Sequence, residues 1–210
     1  MIQERLKELR AQMQERGIDI YIVPTSDFHQ SEYVGEYFKA RKYMTGFTGS
    51  AGTAVITKEE AGLWTDGRYF IQAEKQLEGS TVKLFKMGEE GVPKVEEYVK
   101  DHLTEGSCIG FDGRVMDAKS GEKYAKMAEE KKAALYVKED LVGNIWKDRP
   151  QLPANKVWIL EDAYAGRSMA DKIADVRTQM QKEGADIHIL SSLYDIAWLL
   201  NLRGGDIDHV

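Results

Sequence analysis

The sequence lacks several features that would assign it to a functional class. It has one cysteine among 210 residues, so an intrachain disulfide is excluded. No stretch approaches the roughly 20 apolar residues that a membrane-spanning helix needs. Lys and Arg number 29 against 35 Asp and Glu, with both signs interleaved, and the net charge is −6. Such a surface does not neutralise phosphates, so neither nucleic acid nor a membrane is an expected partner. We expect a soluble, cytoplasmic protein.

The histidines do not form a metal-binding motif. There are four, without short spacing between them and without an HExxH arrangement: His29, His102, His188 and His209. His188 alternates with Ile187 and Ile189 in a predicted strand, where a position under a helix or at an interface is favoured over a ligand role. The sequence therefore predicts no metal site in this chain.

Catalytic side chains are equally hard to find. The paired glutamates lie beside lysines, as expected of solvated faces. Ser50 lies in the glycine-rich segment 46–52, but it has no GxSxG pattern and precedes a strand, so tight turning at a sheet edge is favoured. Cys108 lies in an apolar run, which predicts a buried thiol. We predict no catalytic residue.

The sequence does contain an internal repeat. Between residues 10–23 and 177–190, eight of fourteen positions are identical. Each copy predicts an amphipathic helix, a terminating glycine (Gly17 or Gly184) and a strand, at 19–23 and at 186–190. A repeat of 167 residues has the size of a domain, so we predict two domains built on one plan.

The boundary is predicted in segment 147–156, which holds two of the four prolines and almost no apolar residues. This gives a domain at 1–150 and a second one at 151–210. The second copy stops before any counterpart of the later strands, so we expect a truncated domain with an unfinished sheet. We expect that sheet to self-associate, which makes a homo-oligomer the predicted assembly.

The first domain is predicted to be of α/β class. Segments 53–57 and 61–65 predict a hairpin, and helices then alternate with single strands up to residue 137. This pattern indicates a mixed sheet covered by helices. Arg68 follows Asp66 and Gly67 at a strand end, where open α/β folds present ligand-binding groups. A capping or salt-bridge role for Arg68 is the alternative.

Two motifs carry a family resemblance. The strings YMTGFTGSAGTAVI at 43–56 and LWTDGRYFIQA at 63–73 resemble the three-domain form of the Xaa-Pro aminopeptidases, and so does IAWLLNLRGGDI at 196–207. The resemblance implies two creatinase-like N-terminal domains followed by a catalytic domain that binds two divalent metal ions, typically manganese. That third domain is outside this sequence, so the chain alone is expected to be inactive.

The resemblance also assigns a role to Arg68. In similar enzymes the arginine of the Asp-Gly-Arg-Tyr motif reaches toward the substrate, which implies that Arg68 binds a peptide with proline at its second position. Two alternatives stay open. One is a creatinase or prolidase relative, although these usually carry a single N-terminal domain, and the other is a free-standing α/β ligand-binding module.

Overall fold

The computed structural model describes residues 1–207, and the chain folds into two compact units. Unit 1 is Met1–Pro150 and unit 2 is Gln151–Val210. Unit 1 holds six α-helices and six strands among its described residues: α1 Ile2–Glu15, β1 Ile20–Pro24, α2 Ala40–Thr45, β2 Thr53–Thr57, β3 Ala61–Thr65, α3 Phe70–Leu77, β4 Val82–Lys86, α4 Val95–His102, β5 Cys108–Phe111, α5 Ala118–Glu130, β6 Ala134–Tyr136 and α6 Leu141–Ile145.

The six strands of unit 1 form one mixed sheet in the order β4-β3-β2-β1-β5-β6. The pairs β1–β5, β5–β6 and β3–β4 are parallel, and β2 pairs antiparallel with both β1 and β3. Five strands therefore run in one direction and β2 runs in the other. The α/β fold class with a mixed sheet is confirmed.

Helices cover both faces of this sheet because its central strands bury side chains on both sides. In β1, Tyr21 and Val23 pack with α1, α2, α3 and α6, whereas Ile20 and Ile22 pack with α4 and α5. Alternate residues of a strand point to opposite faces, so this apolar run serves two cores at once. The predicted helix at the amino terminus is confirmed, and its Leu6, Leu9 and Met13 are buried.

Two short helices of unit 1, α2 and α6, were not predicted. They have six and five residues, too few for a helical periodicity to be read from the sequence. Tertiary contacts stabilise them. Tyr43 of α2 stacks on Trp146, with ring centroids 4.5 Å apart, and its hydroxyl donates to the carbonyl of Ile145 at the end of α6.

Helix α5 is capped by Asp117, whose side chain accepts a hydrogen bond from the Ser120 backbone N–H at 2.9 Å. The hydrogen bonds from Ser120 lower the pKa of this carboxyl below its ordinary 3.8. We expect Asp117→Ala to reduce the free energy of unfolding by about 1 kcal/mol at pH 7. Because the pKa of Asp117 is lower in the folded state than the ordinary 3.8, the ionised carboxyl stabilises the fold above pH 3.8. This stabilisation is lost as the pH falls through the folded-state pKa.

The pH dependence is checked by urea unfolding of the parent chain and both Asp117 variants between neutral pH and about pH 3. Asp117→Asn is the matched control, since asparagine caps helices as well as aspartate but carries no charge. Asp117→Asn should retain the stability of the parent chain at neutral pH, and its free energy of unfolding should fall less steeply below about pH 4 (the acid limb). An unchanged acid limb in Asp117→Asn would contradict the assignment.

Unit 2 contains three helices and a two-stranded antiparallel sheet among its described residues: β7 Trp158–Ile159, α7 Asp162–Ala165, α8 Met169–Glu183, α9 Leu193–Leu200 and β8 Leu202–Arg203. A buried lysine joins its helices. The ammonium of Lys172 donates to the Asn201 side-chain oxygen at 2.6 Å and to the Trp198 carbonyl at 2.9 Å. The Asn201 amide nitrogen in turn donates to Asp162 and to the Arg167 carbonyl.

The strand predicted at 186–190 is wrong. Helix α8 ends at Gly184 with φ +66°, as α1 is followed by Gly17 with φ +67°. The next residues differ, however. Residues 186–190 are irregular, and Ile187 and Ile189 are 79% and 83% exposed. Within residues 1–207 no strand lies beside this segment to satisfy its backbone, so it cannot join a sheet. His188 is consequently exposed, and no helix of the described residues covers it in this unit.

Candidate functional site

The candidate site is the edge of the unit 1 sheet at which the five codirectional strands end. We call this edge the carboxyl edge and define it by the segments that follow four of these strands: residues 25–39 after β1, 66–69 after β3, 112–116 after β5 and 137–140 after β6. Polar groups follow each of these strands because the backbone must leave the sheet and turn there. In open α/β sheets, this is the edge at which ligands bind.

Arg68 lies on the carboxyl edge, and Asp66 orients it. The Asp66 carboxylate accepts from the Arg68 backbone N–H at 3.1 Å, from Nε at 2.8 Å and from Nη2 at 2.8 Å. The paired hydrogen bonds lower the pKa of the Asp66 carboxyl and raise that of Arg68. The ion pair with Asp66 therefore orients the charged Arg68 guanidinium.

The Arg68 guanidinium remains accessible despite this pair, because its side chain is 68% exposed. A guanidinium has five N–H donors, and Asp66 uses two of them. The other donors can reach a carbonyl or a carboxylate. A salt bridge to Asp66 is thus compatible with ligand binding by Arg68, because it leaves three guanidinium N–H donors available.

Residues 46–52 form the neighbouring turn, and a network of hydroxyl and amide groups connects this turn to α3. Ser50 Oγ lies 2.7 Å from the Tyr69 hydroxyl. Thr48 Oγ1 accepts from the side-chain amides of Gln72 and Gln76 at 2.9 and 2.8 Å. No histidine or carboxylate is bonded to Ser50 among the described residues, so nothing there activates it as a nucleophile. The segment works as a turn.

A buried arginine, Arg41, holds this turn from beneath. It is 4% exposed, and its Nε donates to Thr25 Oγ1 at 3.0 Å. Its Nη1 donates to the Phe47 carbonyl at 2.6 Å, and Nη2 donates to the Gly49 carbonyl. Burial lowers the pKa of Arg41 to about 10. Sequence reasoning missed this residue because Arg41 and Lys42, side by side in a short segment, look like an ordinary basic surface.

A second Asp-Gly-Arg string, at residues 112–114, follows β5 on the same edge. Its geometry repeats that of Arg68: the Asp112 carboxylate accepts from the Arg114 backbone N–H at 3.0 Å, from Nε at 3.0 Å and from Nη2 at 2.9 Å. The Arg114 side chain is 54% exposed, and its hydrogen bonds to Asp112 raise its pKa. Sequence reasoning overlooked this arginine although the repeated tripeptide was a visible signal.

The loop after β1, residues 25–39, is fixed by the buried Asp27. Its Oδ1 accepts from the backbone N–H groups of His29 and Ser31 at 2.8 and 3.0 Å. Its Oδ2 is buried without a hydrogen-bond partner among the described residues. At one end of this loop Phe28 lies under the Arg114 guanidinium, 5.4 Å from ring centroid to Cζ. Glu32 is close enough to Arg68 to help raise its pKa.

A shallow hollow of about 450 Å³ opens beside Arg114. Its polar lining includes Tyr37, Lys138, Asn144 and Arg149. The Arg149 guanidinium lies over the Tyr37 ring, with Cζ 3.8 Å from the ring centroid. The hollow therefore presents cationic donors at the β5 end of the carboxyl edge.

The described residues do not supply a metal site. No group of three His, Cys, Asp or Glu side chains within residues 1–207 could hold an ion. His29 is exposed, and His102 Nδ1 lies 2.8 Å from the Tyr98 carbonyl. His209 lies outside the described residues. Cys108 is buried, as predicted, and burial raises the pKa of its thiol. In the same part of the chain, no helix has the length and apolar character to cross a bilayer.

Comparison with known proteins gives matches over the whole chain. An aminopeptidase P2 of Arabidopsis thaliana is 42% identical over 214 residues, which cover 100% of this chain and 30% of the relative. A probable Xaa-Pro aminopeptidase P of Pyrenophora teres f. teres is 45% identical over 210 residues, or 98% of this chain and 31% of the relative. The chain thus spans about a third of the length of the relatives that it matches.

A solved structure has the same architecture. The X-prolyl aminopeptidase of Caenorhabditis elegans, described as a cytosolic enzyme with a di-nuclear active site, matches with a TM-score of 0.89 and 34% identity. The match covers 99% of this chain and 35% of that enzyme. The likeness therefore extends to both units of the chain.

Two family models match the sequence, and both describe a creatinase/prolidase N-terminal domain. One matches residues 5–138 and the other residues 148–210. The first match alone covers more than half of the 210 residues. The chain therefore belongs to the creatinase/prolidase N-terminal domain family.

Proposed function

We propose that this chain is the N-terminal, non-catalytic part of a metallo-aminopeptidase that hydrolyses the bond between an N-terminal residue and proline. Units 1 and 2 are then creatinase-like domains I and II, with domain II incomplete. The support is the similarity to Xaa-Pro aminopeptidases over the whole chain, together with its coverage of only 30% of the first relative.

A dinuclear site needs a cluster of carboxylate and imidazole ligands, and the described residues contain no such cluster. We therefore assign the two divalent metal ions, with manganese as the proposed metal, to the part of the longer enzyme beyond this chain. No catalytic residue is assigned to residues 1–207. The chain on its own should not hydrolyse peptides.

The observation that carries a functional role for this chain is the exposed, Asp66-oriented guanidinium of Arg68 on the carboxyl edge. A rigid fork of N–H donors suits a peptide carbonyl or a carboxylate beyond the proline. Such a contact is made equally in the bound peptide and in the transition state. It positions the substrate and limits its length, and it leaves bond cleavage to the catalytic domain.

The remaining assignments follow from the same proposal. The partner is a peptide with proline at its second position, and the enzyme works in the cytoplasm, as its C. elegans relative is described. We also propose a homo-oligomer. The exposed Ile187 and Ile189 of unit 2 favour self-association, because two neighbouring side chains at 79% and 83% exposure leave apolar surface in water.

The test is Arg68→Gln in a version of the protein extended through the catalytic domain. With an Xaa-Pro peptide and manganese, kcat/KM should fall on the order of tenfold, mainly through a higher KM with kcat retained, since uniform binding is lost. The 210-residue chain should show no hydrolysis under the same conditions.

Arg167→Gln is the matched control for this experiment. Arg167 is also an exposed arginine paired with an aspartate, since its Nη1 lies 2.6 Å from Asp175 Oδ2 and its side chain is 50% exposed. Its substitution should leave KM unchanged. Equal effects of the two substitutions would remove the special role of Arg68, and hydrolysis by the short chain would overturn the division of labour.

A further inference from the structure

We infer that Arg114 is a second peptide-binding arginine, which receives the C-terminal carboxylate of a longer peptide while Arg68 holds the peptide upstream. The inference rests on the proposed function and extends it to substrate length. It starts from the repetition of one motif with one geometry on one edge of the sheet.

The first argument is the equivalence of the two arginines. In each Asp-Gly-Arg string the aspartate directly follows a strand and accepts three hydrogen bonds from the arginine, one from its backbone and two from its guanidinium. Because β3 and β5 run in the same direction, both arginines leave the sheet at the carboxyl edge. Arg114 therefore lies on the same edge as Arg68 and is oriented by the same hydrogen bonds to an aspartate.

The second argument is the separation of the two strands. In the sheet order, β2 and β1 lie between β3 and β5, so three inter-strand steps separate the arginines. With about 4.8 Å per step, strands β3 and β5 are about 14 Å apart, which is the length of about four extended residues. A tripeptide cannot span this distance, whereas a seven-residue peptide can.

The third argument is the surface between the two arginines. The loop at 25–39 passes from Glu32, near Arg68, to Phe28, under Arg114. Phe28 and Tyr33 of this loop are 39% and 44% exposed. Aromatic rings at this exposure offer apolar contact to proline and alanine side chains. The loop is also anchored to the β5 end, since the Gln30 amide donates to the Val115 carbonyl at 3.2 Å.

The fourth argument is the charge of the hollow beside Arg114. The two carboxylates that line it are already engaged: Asp140 is paired with Arg149 and lies 3.5 Å from Arg114, and Glu139 is paired with Arg16. Lys138 also lines the hollow and has no carboxylate partner among the described residues. Three cations, Arg114, Lys138 and Arg149, thus line the hollow against two carboxylates, and this net positive charge favours a peptide carboxylate.

The experiment is a double-mutant cycle between the peptide carboxylate and Arg114, with the 210-residue chain and no metal. The probe is the peptide Ala-Pro-Ala-Ala-Ala-Ala-Ala, used with a free carboxylate and with an amidated C-terminus. Dissociation constants are measured by NMR titration, following the Nε–Hε signals of the arginines. Amidation should weaken binding about fivefold in the parent chain and less than about twofold in Arg114→Gln.

Two further variants separate charge, fold and position. Arg114→Lys retains the charge and should recover part of the amidation effect. Lys58→Gln is the matched control, because Lys58 is an exposed, ion-paired cation in the β2–β3 turn at the opposite edge, and it should behave like the parent chain. Unchanged amide exchange in β5 will show that the variants are folded.

The outcomes for Arg114 and for Arg68 are distinguishable. An amidation effect of equal size in the parent chain and Arg114→Gln would overturn the inference about Arg114, and so would an absence of any binding by the long peptide. The tripeptide Ala-Pro-Ala tests Arg68 separately. Its binding should be weakened by Arg68→Gln and unaffected by Arg114→Gln, and the opposite pattern would refute the proposed role of Arg68.

Discussion

Trp64→Ala is expected to reduce the free energy of unfolding of unit 1 by about 4 kcal/mol, in the range of large-to-small substitutions at fully buried aromatic residues. The Trp64 side chain is 0% exposed in the middle of β3. Its ring stacks on Phe85 of β4 with centroids 3.9 Å apart and an interplanar angle of 5°. The Tyr98 ring of α4 meets it edge-on at 4.9 Å. The substitution therefore removes contacts with both the next strand and the covering helix.

The polar part of Trp64 is satisfied as well, because Nε1 donates to the Pro93 carbonyl at 2.8 Å. The stack also depends on Gly62, where an added Cβ would lie 2.6 Å from the Trp64 ring and 2.7 Å from the Phe85 ring. Because Gly62 has no side chain, the cavity left by Trp64→Ala cannot be filled from the Gly62 side unless the strand moves. We therefore expect the cost near the upper part of the usual range.

Native-state hydrogen exchange of the β3 and β4 amides measures this loss for unit 1 alone. Trp64→Phe keeps the stack but loses the indole donor, so it should cost about 1.5 kcal/mol. Trp158→Ala is the matched control, since Trp158 lies in unit 2 and is 53% exposed, and it should change unit 1 by less than about 0.5 kcal/mol. Similar losses for Trp64→Ala and Trp158→Ala would contradict the prediction.

Arg41→Met is expected to cost about 3 kcal/mol, because it leaves the buried carbonyls of Phe47 and Gly49 without donors. The methionine fills much of the volume, so the effect isolates the lost hydrogen bonds. The turn at 46–52 should loosen, and with it the contact between Ser50 and Tyr69 beside Arg68. We expect faster amide exchange at Phe47 and Gly49 than in the parent chain, with the amides of the sheet little changed.

Lys42→Met is the control for Arg41, since it changes the next residue of the same helix, whose side chain is 43% exposed. It should cost less than about 0.5 kcal/mol. Arg41→Lys distinguishes charge from geometry. A lysine has no planar fork to bond three acceptors in different directions, so it should be closer to methionine than to arginine. Full stability of Arg41→Lys would show that charge alone matters.

The internal repeat shows how far local sequence determines this fold. Helices α1 and α8 and their terminating glycines were predicted from the same pattern, and both predictions are confirmed. The residues after them share Asp, Ile and Ile at matching positions, yet 20–24 form a strand and 186–190 do not. A helix satisfies its own backbone, whereas a strand requires a neighbour. Strand β1 has β2 and β5 beside it, and this information is absent from the repeated segment itself.

A residue of the candidate site could be predicted where a sequence motif coincided with the end of a predicted strand. Arg68 was found because its motif lies at the end of a predicted strand. Its peptide-binding role is still a prediction. Arg41 could not be found, because its three acceptors are brought to it by residues 25–49 folding around the side chain. Arg114 lies between these cases: its tripeptide was visible, but only the sheet order places it on the same edge as Arg68.

The sheet order also determines how the nascent chain can fold as it leaves the ribosome. The central strand β1 emerges early and can pair with β2 after a delay of about 30 residues, but its parallel neighbour β5 begins only at Cys108. Until then, one side of β1 is an unpaired edge exposed to other newly made chains. Slow synthesis through residues 58–107 should therefore increase aggregation, whereas slowing after β6 should leave the yield of folded unit 1 unchanged.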